Sequence, residues 1–166
     1  MMEAASAVSE KVMMAALAAS QQLFSIGVPH AVIGGIAVGA HGAPRATKDV
    51  DFLVNEADAF SGTHILSFKA GVPIAVRGIV VDYLTPEGSP YAALLKRALG
   101  ESVISEHIPV IGLEPLVLMK LYAGRRRDLD DVQRLLEQSH VEARVRKFIT
   151  EQAPDLIERL DLAIDG

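Results

Sequence analysis

Three aspartates sit where aspartate is least at home. Asp49-Val50-Asp51 opens an apolar run that continues as Phe52-Leu53-Val54, and Asp82 interrupts Ile79-Val80-Val81 before Tyr83-Leu84. Residues two apart on a strand share a face, aspartate is unfavourable in strands, and like charges side by side repel. A solvated sheet edge would tolerate the pair. The better account is a positive counter-charge, because Asp82, left unpaired in a buried strand, would be costly. Mg2+ or Mn2+ suits such a set: hard cations take carboxylate oxygens and keep positions for water and phosphate. The chemistry expected of Asp49, Asp51 and Asp82 is therefore metal-assisted displacement at phosphorus. In a two-metal arrangement the ions stand about 3.5–4 Å apart, one beside the attacking oxygen and one beside the leaving group.

Other residues fit the same chemistry less specifically. Gly34-Gly35 follows the apolar Ala31-Val32-Ile33 and precedes a helix-forming stretch, where free N–H groups favour phosphate. Most glycine pairs only permit a turn. Lys120 interrupts the apolar Leu116-Val117-Leu118-Met119, so its ammonium either reaches the surface or faces a triphosphate. In the second case, Lys120→Ala weakens triphosphate binding and leaves the secondary structure intact. Asp128 and Asp131 fall near a helix start, where the helix dipole favours negative charge without any catalytic role. Arg125 to Arg127 fit a solvated turn, and the slight basic excess from Lys120 to Lys147 is the best place for an RNA or acidic-partner patch. The five histidines are scattered, none at a metal-ligand spacing, and His41 is read as structural.

The elements that position these residues follow from periodicity and turn chemistry. Ala4 to Phe24 predicts an opening helix closed by Gly27 and Pro29, followed by a strand at Ala31–Ile33 and a short helix from Ile36 to Ala40. Pro44 to Thr47 is a loop and Asp49 to Val54 a strand. A helix is expected around Ala57 to Lys69, then a hairpin of Pro73–Val76 and Ile79–Leu84 turning at Arg77-Gly78. Tyr91–Leu99 reads as helix, Glu101–Ile111 as one or two short strands, and Leu113–Tyr122 as an apolar helix. Helix then dominates, in Arg125–Glu137, Val141–Thr150 and Asp155–Ile164. The expectation is an α/β fold with a mixed, twisted sheet: residues 1–112 form the core with its N-terminal helix, and residues 113–166 a helical segment packed on it as part of one unit.

Composition narrows the function classes. The chain has 166 residues, half of them hydrophobic, which is enough for one domain with a real core. It has no cysteine, so thiolate zinc sites, disulfides and cysteine nucleophiles are excluded, and a reducing cytoplasm is compatible. A net charge of −5 argues against a surface built throughout to trap nucleic acid or anionic lipid. Met13 to Ser20 is apolar, but Glu3 and Glu10 spoil the basic leader of a signal peptide, and no run reaches the roughly 20 apolar residues of a membrane span. No phosphate loop of the Lys-Ser or Lys-Thr type and no nucleophile elbow occurs, which removes kinase and hydrolase readings.

Ile33-Gly34-Gly35, Arg45-Ala46-Thr47-Lys48-Asp49-Val50-Asp51 and Val81-Asp82-Tyr83 together resemble the signature of the polymerase-β-like nucleotidyltransferase superfamily. With Glu114 to Leu121 and Arg125 to Val132, the likeness narrows to AbiEii-like type IV toxins and short bacterial nucleotidyltransferases. Full-length toxins of that type are generally longer, with a larger helical domain. The resemblance implies an enzyme that transfers a nucleoside monophosphate from a triphosphate such as ATP to a hydroxyl, releasing pyrophosphate. It implies that Asp49, Asp51 and Asp82 hold Mg2+ or Mn2+, that Gly34, Gly35, Arg45, Thr47 and Lys120 meet the nucleotide, and that Lys120 and Asp128 line the active site. The acceptor stays open among tRNA, a protein side chain and a small molecule, and a cognate antitoxin is a possible partner. The competing expectation is a catalytically weak nucleotide-binding module that acts by regulation or by contact with an antitoxin.

Overall fold

The computed structural model of the chain describes residues 8–55, 74–138 and 140–166. Helix α1 (Glu10–Ser25) leads to β1 (His30–Ile33), α2 (Gly34–Ala40) and β2 (Val50–Val54). The hairpin β3 (Ile74–Val76) and β4 (Ile79–Leu84) precedes α3 (Ala92–Gly100), and a second hairpin, β5 (Val103–Ser105) and β6 (Ile108–Val110), precedes the helices. These are α4 (Leu113–Ala123), α5 (Arg126–Leu135), α6 (Val141–Gln152), a 3-10 turn at Pro154–Leu156, and α7 (Ile157–Asp165). The expected α/β fold is the one observed: a mixed sheet in the order β3-β4-β2-β1-β6-β5, flanked by helices and followed by a helical segment. The expected helix around Ala57 to Lys69, Pro73 and the Ser139 punctuation lie outside the described residues.

Central β1 and β2 are antiparallel, and each has a parallel outer neighbour, β6 beside β1 and β4 beside β2. β1 is buried along its whole length, as the unbroken apolar run requires of a strand covered on both faces. Ala15, Ala16 and Ala19 of α1 are buried and small enough to let that helix lie close to the sheet, and Leu23 is buried with them. One hydrophobic cluster joins Ala16, Ala19 and Leu23 to Phe52 and Tyr83 of the sheet and to Leu116, Leu121, Val145 and Leu160 of the last helices.

One detail corrects the sequence reading, and a second fills in an expectation that holds. The first described helix begins at Glu10, because Ser9 is its N-cap, its hydroxyl accepting from the Val12 N–H at 3.2 Å, and Val8 forms an isolated parallel bridge with Thr47; Ala4 to Ala7 of the expected opening helix lie outside the described residues. The stretch Glu101 to Ile111 is a hairpin turning at Glu106-His107, both with positive φ (54° and 69°) and neither a glycine. The hairpin at Arg77-Gly78 has the geometry its sequence predicts, with φ of 52° and 80°.

Candidate functional site

Asp51 lies in β2 and Asp82 in β4, and the two are paired in register across adjacent parallel strands. Register pairing puts both side chains on one face of the sheet. Asp49 stands just before β2 and is electrostatically coupled to Asp51. Burial, then repulsion from Asp82 and Asp49, pushes the Asp51 carboxyl above its ordinary value, against the smaller pull of Lys120 and Arg125. Among the described residues, no group of three or more histidine, aspartate or glutamate side chains forms a ready-made metal cage. Magnesium does not require one, since one or two carboxylates, phosphate oxygens and water complete its shell. Paired, half-buried Asp51 and Asp82 beside exposed Asp49 fit that mode of binding.

The glycine pair serves this arrangement from inside. Ile33 pairs with Asp51, so the next residue comes up against the Asp51 side chain. A Cβ on Gly34, whose φ is +67°, would stand 2.5 Å from Asp51 Oδ2, and one on Gly35 would run into Thr47 Oγ1. Gly34 and Gly35 are thus required by close packing, whatever else they meet. Gly34→Ala is expected to cost about 1–3 kcal/mol of stability, and more than Gly78→Ala, where φ is +80° but space is open. Urea unfolding of both variants checks this; equal losses would show that Asp51 yields.

Opposite the acids lies a chain of alternating charge. Lys120 on α4 is 8% exposed, and its ammonium donates to Asp131 at 2.9 Å and to Asp128 at 3.4 Å. Its ammonium does not reach out to solvent: it is held between two carboxylates of α5 and lines the same cavity as the acids. Arg45 grips the other side of Asp131, with Nε donating to Oδ1 at 2.9 Å and Nη2 to Oδ2 at 3.1 Å. Asp128 accepts from Arg125 through the backbone N–H (3.2 Å) and Nε (2.7 Å), which also caps α5. Burial pushes the Asp128 carboxyl up, but the Arg125 hydrogen bond and the charges of Lys120 and Arg125 outweigh it and hold this group below its usual range.

Acids and cations meet in one cavity of about 360 Å3. Gly34, Arg45, Asp49, Asp51, Asp82, Lys120 and Asp128 all line it, with an apolar wall of Ile33, Leu84, Leu116 and Met119. Gly35 and Thr47 are not in the lining; the Thr47 hydroxyl donates instead to the Arg45 carbonyl at 3.1 Å. Arg125 and Arg127, read from sequence as a solvated turn, are exposed and also stand at the wall, and Asp131 lies behind it. The spacing Arg-x-Arg-Asp-x-x-Asp across a helix start was the signal for both.

No protein-family model and no curated protein matches the chain. A solved structure does. It is the crystal structure of an antigenic nucleotidyltransferase-like protein from Paracoccidioides brasiliensis, similar with a TM-score of 0.46 at 15% identity, covering 92% of this chain and 93% of that one. What the cavity can do follows from its own residues.

The remaining candidates have structural explanations. His30 is buried, its Nδ1 2.8 Å from the Val28 carbonyl and its Nε2 2.7 Å from the Ser20 hydroxyl, and burial lowers its pKa. His41 Nε2 bonds the Ile111 carbonyl at 2.7 Å. In the basic stretch, Arg134 donates to the Pro44 carbonyl, Arg144 pairs with Glu114, and Arg146 with Asp161 and Glu142. These cations are spent largely on the protein itself. No helix among the described residues is long and apolar enough to cross a membrane.

Proposed function

We propose that the chain is a metal-dependent nucleotidyltransferase of the polymerase-β-like kind. It transfers a nucleoside monophosphate from a triphosphate to a hydroxyl on RNA, protein or a small molecule. The observation that carries this reading is the register pairing of Asp51 with Asp82 beside Asp49, facing cations across a cavity of nucleotide size. Asp49, Asp51 and Asp82 would hold Mg2+ or Mn2+. When bound, the metal polarises the α-phosphate and lowers the pKa of the attacking hydroxyl. The hydroxyl oxygen forms its bond to the α-phosphorus, the bond to the β-phosphate bridging oxygen breaks, and pyrophosphate carries the electron pair away. Asp82 takes the hydroxyl proton. Arg45, Lys120, Arg125 and Arg127 face the charge of the triphosphate, and the Leu84, Leu116 and Met119 wall takes its apolar face. A role as the toxin of a toxin-antitoxin pair in the cytoplasm is consistent with this chemistry.

Charge in the cavity makes a direct prediction. Arg45, Lys120, Arg125 and Arg127 stand against Asp49, Asp51, Asp82, Asp128 and the buried Asp131, which leaves one negative charge in excess. A triphosphate alone is therefore repelled, and magnesium alone has water in the positions that phosphate oxygens would take. Together they should stabilise the fold by about 2.7 kcal/mol at a hundred times the dissociation constant, and far more than either alone. Melting curves with ATP, GTP, CTP or UTP, with and without Mg2+, test this. Equal shifts without magnesium would remove the metal site from the proposal.

A further inference from the structure

Asp131 touches none of the cavity surface, yet it connects the parts of the protein that form the cationic wall. It is 2% exposed on α5 and binds Arg45, from the loop between α2 and β2, and Lys120, from α4. We propose that Asp131 is a positioning residue, which fixes the guanidinium of Arg45 and the ammonium of Lys120 in the orientation that receives the triphosphate. This rests on the nucleotidyltransferase reading of the cavity.

The geometry supports more than charge balance. A carboxylate that only neutralised Lys120 could do so through one oxygen, whereas Asp131 uses both on Arg45 and shares Oδ2 with Lys120. A bidentate pair fixes the guanidinium plane as well as its position. The third nitrogen, Nη1, is thereby held 3.1 Å from where a Cβ on Gly35 would fall, and donates to the Ala46 carbonyl at 3.3 Å. Arg45 is thus pinned beside the glycine turn, at the end of the cavity where Gly34 and Asp51 meet. For Lys120, Asp131 and Asp128 occupy two of the three ammonium donors, which leaves the third for the cavity it lines. A long, flexible cation gains a single pose in this way, and less rotamer freedom is then lost when the ligand binds.

The test uses the full chain and an equimolar mixture of the four ribonucleoside triphosphates with Mg2+. The readout is the triphosphate concentration giving half-maximal binding in calorimetric titration at constant temperature, for the parent, Asp131→Asn, Arg45→Lys and the double variant. Asn keeps the shape but not the second charged oxygen; Lys keeps the charge but not the fork. Each single variant is expected to need at least about tenfold more triphosphate, and the double variant no more than the worse single, because the two residues act as one unit. Additive losses would reduce Asp131 to general support of the fold and overturn the proposal. So would a folded Asp131→Asn with the parent's affinity. Where Asp131→Asn fails to fold, Arg45→Lys decides alone, and its unchanged affinity overturns the proposal. A parent that binds no triphosphate with Mg2+ refutes the underlying reading itself, which separates that failure from this one.

Discussion

Replacing Asp49, Asp51 or Asp82 by Asn is expected to cut magnesium-dependent transfer roughly a thousandfold, the rate equivalent of about 4 kcal/mol. The melting temperature in chelator should stay level or rise. The two effects separate because Asn keeps the shape of the side chain and removes a charge that the metal-free protein has no use for. Asp51 shows this most clearly, since burial and the neighbouring Asp82 and Asp49 raise its pKa in the folded state. A carboxyl with a raised folded pKa favours folding fully below its unfolded pKa, and that contribution is lost as pH rises through the folded value. Asp51→Asn should therefore gain stability over the parent at neutral pH, and the gain should vanish on acidification below the ordinary carboxylate range. Melting curves from pH 3 to 8 in chelator, beside label transfer from an α-labelled triphosphate in magnesium, measure both. A variant set that loses its fold assigns these acids to structure, and one that keeps full transfer removes them from the chemistry.

Lys120→Ala should behave in the opposite way, losing about 3 kcal/mol of stability. It strands two carboxylates, Asp128 and Asp131, that are each 2% exposed. Breaking a buried pair from one side costs about 3–5 kcal/mol, and the lower end applies because Arg125 and Arg45 remain in place. Asp128 has a folded pKa below its usual range, so it contributes stability above its unfolded pKa and loses it as pH falls through the folded value. Without Lys120 that depression weakens, and the deficit should be largest at neutral pH and shrink in acid. Chemical denaturation from pH 7 down to pH 2, through and below the ordinary carboxylate range, measures it. A variant as stable as the parent at pH 7 would mean that the cluster contributes nothing net.

The contrast between these residues shows what a sequence discloses. Asp49, Asp51 and Asp82 stood out because they break a local rule, and a local rule is visible in a window of a few residues. The glycine pair was visible too, but the reason for it was not: Gly34 and Gly35 make room for Asp51 and Thr47, which depends on strand pairing. Asp131 shows the limit most plainly. Its sequence neighbourhood offers only the helix dipole, while its partner Arg45 is 86 residues away. Lys120 likewise gave two local alternatives, and the carboxylate pairing that holds its ammonium in the cavity wall requires α4 and α5 to be packed. The turn at Glu106-His107 left no glycine to mark it, and Ser9 capped a helix that propensity alone would have begun earlier.

The far separation of Arg45 from Asp131 also bears on how the protein comes into being. A ribosome delivers the glycine turn and the strand acids long before α4 and α5, so the emerging chain carries its acidic half without the cationic wall. Domains fold as units, with synthesis running at about 5–20 residues per second. The chain thus spends roughly several seconds with Asp49, Asp51 and Asp82 made and its Arg45 unanchored. Docking of the late helices is the event that closes the charge circuit. On the proposed reading, the cationic wall of the cavity is therefore set only after α5 has docked, however early its acids are made.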